Sequence, residues 1–161
     1  MTRSAEEALV ARLLAVISGD APVAEATRLL APDVVSHMDR HTVRGTEVWF
    51  DWLEFLRSRA GGAVKADVDR FVTHPDGTVT ALGTLRTAGA VDGARGSHEA
   101  RYRVAGGRVV EIWTTRGNYE MIFGPVRHAV RWPLVLLEFA IWRRLPGRRR
   151  TRSSRDGGGA G

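Results

Sequence analysis

The chain has 161 residues, no cysteine and a formal net charge of +6, which is enough for one domain with a buried core and excludes disulfides and thiolate-bound metal. Of its 24 basic and 18 acidic side chains, 17 of each lie in residues 1–142. The excess sits in residues 143–156, where Arg143, Arg144, Arg148, Arg149, Arg150, Arg152 and Arg155 face only Asp156, so the body is neutral and nucleic-acid binding is not expected.

Thr2 to Gly19 is amphipathic and carries Glu6, Glu7 and Arg12. It lacks the apolar run of a signal peptide, so a cytoplasmic protein is expected. Ser4-x-x-Glu7 reads as a capping box, and Leu9, Leu13, Val16 and Ile17 recur at helical spacing until Gly19. Asp20 and Pro22 open a second short helix carrying Leu29 and Leu30, which Pro32 closes. Residues 34–39 suit a strand. Thr46 is placed to cap a third helix, whose Trp49, Trp52, Leu53 and Leu56 fall on one face before Gly61-Gly62 ends it. Four strand patterns follow: Val64 to His74, a turn at Pro75-Asp76-Gly77, Thr78 to Thr87, then Ser97 to Ala105, a hairpin at Gly106-Gly107, and Arg108 to Thr115.

Helices followed by an antiparallel meander indicate an α+β fold. Residues 1–124 form the domain, residues 125–147 an apolar helical extension, and residues 148–161 a basic, Gly-rich tail expected to be disordered.

The order of these parts resembles the SnoaL-like polyketide cyclases. The residues that carry the resemblance are Ala31-Pro32-Asp33-Val34-Val35-Ser36-His37-Met38-Asp39, then Arg44-Gly45, the helix Glu47-Val48-Trp49-Phe50-Asp51-Trp52-Leu53, and finally Gly107-Arg108-Val109-Val110-Glu111-Ile112-Trp113. These cyclases belong to the wider group of ketosteroid isomerases, limonene epoxide hydrolases and nuclear-transport-factor-2-like (NTF2-like) proteins. The resemblance spans roughly residues 5–124. It implies a cone: a curved antiparallel sheet wrapped around the N-terminal helices, here with an extra C-terminal helix. It also implies a homodimer through the outer sheet face.

Alternation along residues 34–39 puts Val35, His37 and Asp39 on one face and Val34, Ser36 and Met38 on the other. The resemblance places an acid or base of the pocket on this strand, where His37 matches a frequent family histidine. The carboxylate base of ketosteroid isomerases falls at Met38, with Asp39 one residue late. Ser97 to Ala105 turns His98, Ala100, Tyr102 and Val104 inward and Glu99, Arg101 and Arg103 to water. The expected catalytic set is therefore Asp39 as base, assisted by His37, with His98 and Tyr102 hydrogen-bonding a carbonyl or oxyanion. Trp49, Trp52, Phe71, Trp113 and Met121 are expected pocket walls, and Asn118 is expected to orient a water or a carbonyl.

Ala100 stands where the isomerases carry their oxyanion-binding acid. Thr114 and the run Ala81-Leu82-Gly83-Thr84-Leu85-Arg86 lack the epoxide-hydrolase carboxylates. No metal or nucleotide motif is present, and His37 and His41 would point to opposite ends of a loop, so no cofactor is expected. The first reading is a cofactor-independent cyclase or isomerase acting on a hydrophobic polyketide-like or terpenoid-like intermediate. The alternatives are a non-catalytic carrier of a hydrophobic ligand and a membrane-tethered accessory protein. Trp132 to Arg150 carries the last of these. Its apolar core, Pro133 to Trp142, is too short to span a bilayer, yet with the arginines that follow it suits an anionic membrane surface.

Overall fold

A computed structural model of the protein describes residues 3–38, 41–62, 64–87, 95–115 and 128–145. The chain divides into two compact units, Met1–Pro125 and Val126–Gly161.

In the first unit, α1 (Ala5–Ser18) begins at the capping box. The Ser4 hydroxyl accepts from the Glu7 N–H at 3.2 Å while the Glu7 carboxylate accepts from the Ser4 N–H at 3.3 Å. Gly19, at φ 78°, ends the helix in the left-handed conformation that suits glycine. α2 (Val23–Leu29) follows. Its C-cap, Leu30, is already the first residue of β1 (Leu30–Met38), so the helix stops before Pro32, which lies inside the strand. Proline has no N–H to give a ladder, and the register with the neighbouring strand shifts between Leu30 and Val35. β2 (His41–Arg44), which the sequence reading missed, pairs back on β1. α3 (Thr46–Arg59) is capped at Gly45 rather than by Thr46. The Thr46 hydroxyl instead donates to the Ala31 carbonyl at 2.7 Å, tying the helix start to the irregular part of β1.

β3 (Val64–Thr73), β4 (Thr78–Thr87), β5 (Arg95–Ala105) and β6 (Arg108–Thr114) form the meander. Gly106 and Gly107, both at positive φ, make the tight β5–β6 turn. The sheet is open, in the order β2-β1-β6-β5-β4-β3. It is mixed, because β1 runs parallel to β6 while every other pair is antiparallel. One face is covered by α1 against β3 and β4 and by α3 against β1 and β2. The core lies there: Val10, Leu13 and Val16 of α1 and Trp49, Trp52 and Phe55 of α3 meet Val34, Met38, Val79, Ala81, Ala100 and Ile112. Arg57 locks α3 to α1, its guanidinium donating to the carbonyls of Val16 and Ile17 at 2.7 and 3.0 Å. At Gly83 even a methyl would sit 2.0 Å from the Asp67 carbonyl oxygen, so the close approach of β3 to β4 requires glycine.

The second unit contains α4 (His128–Arg144), with Pro133 in its second turn. Among the described residues, no helix is long and apolar enough to cross a membrane.

Candidate functional site

The sheet register defines one rung across the helix-covered inner face. His41 pairs with Met38, Met38 with Thr114, Thr114 with Ala100, Ala100 with Ala81, and Ala81 with Phe71. Paired residues of adjacent strands share a face, so His41 lies on the same side as fully buried Met38. Its ring approaches Trp52 of α3, with centroids 6.4 Å apart and planes inclined at 53°. Burial holds the His41 pKa below the ordinary histidine value, because an apolar surrounding disfavours the imidazolium. At neutral pH the ring is therefore a neutral base.

Two further polar groups belong to this face. Tyr102, opposite Val79 and Ile112, and His98, opposite Gly83, flank Ala100 on β5 and are both buried. They stand four residues apart, about 14 Å along an extended strand, and three strands, about 14 Å, from β2. An aromatic helix face, Trp49, Trp52 and Phe55, is buried with them.

The outer face has a different character. His37 pairs with Trp113, and Arg103 with Glu111. The His37 ring stacks on Trp113 at 5.6 Å and 14°, and the Arg103 guanidinium lies 5.2 Å from the same indole. Glu111 bridges the His37 ring and the Arg103 guanidinium, with His37 Nε2 at 2.7 Å from one oxygen and Arg103 Nη1 at 3.2 Å from the other. Thr42 Oγ1 lies 3.4 Å from His37 Nδ1. Beside them Arg101 donates to Thr78 Oγ1 and to Asp76, each at 2.6 Å. Thr78 also donates to Asp76 through its hydroxyl and its N–H, which together hold the Asp76 carboxyl below the usual range.

No family model and no curated protein matches the chain. Solved structures do. Bal32a, from a soil-derived mobile gene cassette, superposes with a TM-score of 0.63 at 18% identity, covering 73% of this chain and 94% of its own. A protein of Jannaschia sp. CCS1 described as a SnoaL-like polyketide cyclase gives 0.58 at 15% identity, covering 78% and 99%. The chain has the SnoaL/NTF2-like fold. An IdmH variant with residues 96–104 of its own loop truncated is also similar, with a TM-score of 0.52 at 28% identity, covering 66% of this chain and 88% of its own.

Within this NTF2-like fold the expected site residues separate. His98 and Tyr102 face inward, as the alternation of β5 indicated, and Trp49 and Trp52 are buried on α3. Phe71 is also inward, but at the far end of the rung, with Arg3 5.3 Å from its ring centroid. His37 and Trp113 are corrections. Alternation in β1 groups His37 with Val35 correctly, but the inner set is Val34, Ser36 and Met38; His37 is a third exposed on the opposite face, and its register partner Trp113 goes with it. The sheet thus keeps His37 apart from His98 and Tyr102. Asp39, Asn118 and Met121 lie outside the described residues. The functional candidate that sequence reasoning missed is His41. Its signal was the alternation His41, Thr42, Val43, Arg44, in which Val43 is buried while Thr42 and Arg44 are exposed.

Proposed function

We propose that the inner face is the reaction site of a cofactor-independent cyclase or isomerase acting on a hydrophobic, polyketide-like or terpenoid-like intermediate. The observation that carries this reading is the spread of His41, His98 and Tyr102 over one apolar, buried face. Their backbone separations of about 14 Å are too large for one small enolate to meet all three. An extended chain with several carbonyls can meet each at a different point. His41, neutral and desolvated, removes a proton from a carbon beside a carbonyl. The freed electron pair attacks a second carbonyl of the same molecule, forming the C–C bond, and the resulting oxyanion takes the proton back. The product is an isomer of the substrate, so no oxidant, reductant or cofactor is needed. Tyr102 and His98 donate to carbonyl oxygens along the chain and withdraw charge as it develops. Trp52 and Trp49 fold the flexible substrate, supplying proximity. Structural neighbours described as polyketide cyclases support this chemistry at the level of the fold.

The test begins with deletion of the gene in the native host. The metabolite that accumulates is isolated and incubated with the purified full-length protein. Conversion to a product of equal mass, slowed about 10²- to 10⁴-fold by His41→Gln, is the expected result. If the compound binds without change, the protein is a carrier on the same face. If nothing accumulates, the small-molecule reading is wrong.

A further inference from the structure

We propose that one side of α4 seats the protein on an anionic lipid surface, lying along the membrane rather than across it. The helix is apolar on two sides, and the two differ in exposure. Val135 and Phe139 are buried, whereas Leu134, Leu137, Ile141 and Leu145 are between 51% and 56% exposed. At 100° per residue these four fall within an arc of about 80°, so they form one row along the helix and its C-terminal end. A row of half-exposed leucines and isoleucine is costly in water and needs a cover.

Charge selects the cover. Arg143 and Arg144, both exposed, lie within the last turn of α4. The sequence continues with Arg148, Arg149, Arg150, Arg152 and Arg155, so the segment that carries the whole net charge of the chain begins at the last turn of α4. An aliphatic row ending in cations matches an interface of acyl chains beneath anionic headgroups: the leucines enter the acyl boundary and the guanidinium groups meet phosphate. Glu138, the one acidic residue of the helix, flanks the row and weakens the attraction by about one charge. A second copy of the chain fits less well, because its own α4 offers only Glu138 to offset these cations. With no spanning helix among the described residues, the contact is peripheral. The surface is independent of the inner-face reaction, although it would concentrate the protein where lipophilic compounds partition.

The test is co-sedimentation of the full-length protein with two vesicle types: phosphatidylcholine alone, and equal parts phosphatidylcholine and phosphatidylglycerol. The wild type is expected to sediment with the second and stay in solution with the first, and added salt should release it. Leu137→Ser with Ile141→Ser changes only exposed positions and should lower the partition coefficient at least tenfold. Arg143→Gln with Arg144→Gln should lower it about fivefold per charge, about 25-fold in all. Three results overturn the proposal. The wild type stays in solution with the anionic vesicles; the double serine variant binds like the wild type; or the wild type is a dimer by analytical ultracentrifugation that the serine variant dissolves, which makes a second copy the occupant.

Discussion

The two faces of the same sheet handle ionisable side chains in opposite ways. On the outer face charge is paired: Glu111 between His37 and Arg103, Asp76 with Arg101, Arg86 with Asp67. These groups keep access to water, and such pairs contribute little to stability. The inner rung from His41 to Phe71 contains no carboxylate. There His41 is governed by desolvation; it pairs with Met38, and its ring approaches Trp52. His37 and Met38 are adjacent in the chain, yet one belongs to a solvated ion-pair cluster and the other to the apolar site. A histidine paired with a carboxylate is thus the more conspicuous of the two in this fold, while the proposed reaction site uses the one on the apolar face.

Several substitutions sharpen that contrast. The largest effect is expected at Trp52, buried between α3 and the sheet. Trp52→Ala should cost about 3–5 kcal/mol in urea unfolding, whereas Trp113→Ala, which loses one stacked ring and one cation–π contact on the outer face, should cost about 1–2 kcal/mol. Equal losses would mean that the outer face is as buried as the inner. Next comes Gly83→Ala. Its methyl meets backbone that cannot turn aside, so β3 and β4 must part, and a loss of about 3 kcal/mol is expected from the same unfolding curves. A Gly83→Ala protein as stable as the wild type would show that β3 does not approach so closely. Glu111→Gln breaks the outer cluster and should cost less than about 1 kcal/mol; a larger loss would make that cluster structural.

The smallest effect is in pH. The unfolded chain binds a proton at His41 near its ordinary pKa of 6.5, while burial holds the folded value lower. The contribution of His41 is therefore complete above about pH 6.5 and declines as pH falls from there to the folded value. His41→Gln should flatten the pH dependence of stability in that window. An unchanged slope between about pH 7 and pH 5 would mean that the ring is not desolvated.

Much of the fold was legible because its signals are local. Ser4, Glu7 and Gly19 bracket α1, Gly106-Gly107 makes a hairpin, and strict alternation from Ser97 to Ala105 turns His98 and Tyr102 inward. The illegible parts depend on contacts distant in sequence. Alternation sorts β1 into two sets, but only its parallel pairing with β6 and the covering α3 decide which set is inside. The same pairing carries Trp113 outward with His37. Pro32 reads as a helix stop, yet it is accommodated in a strand whose register shifts around it. Thr46 reads as a cap, but the Ala31 carbonyl is near enough to accept its hydrogen bond. The inner placement of His41 is not legible because four residues of β2 are too short a run to announce a strand.

The central claim is that function lies on the inner face and not in the outer histidine cluster. It is tested most directly by complementing the deletion strain with four genes and comparing metabolites by mass spectrometry: wild type, His41→Gln, His98→Gln and His37→Gln, at matched protein levels. The account predicts that His37→Gln restores the wild-type profile while both inner variants leave the deletion's metabolite in place. Restoration by the inner variants together with failure of His37→Gln would contradict it and move the site to the outer face.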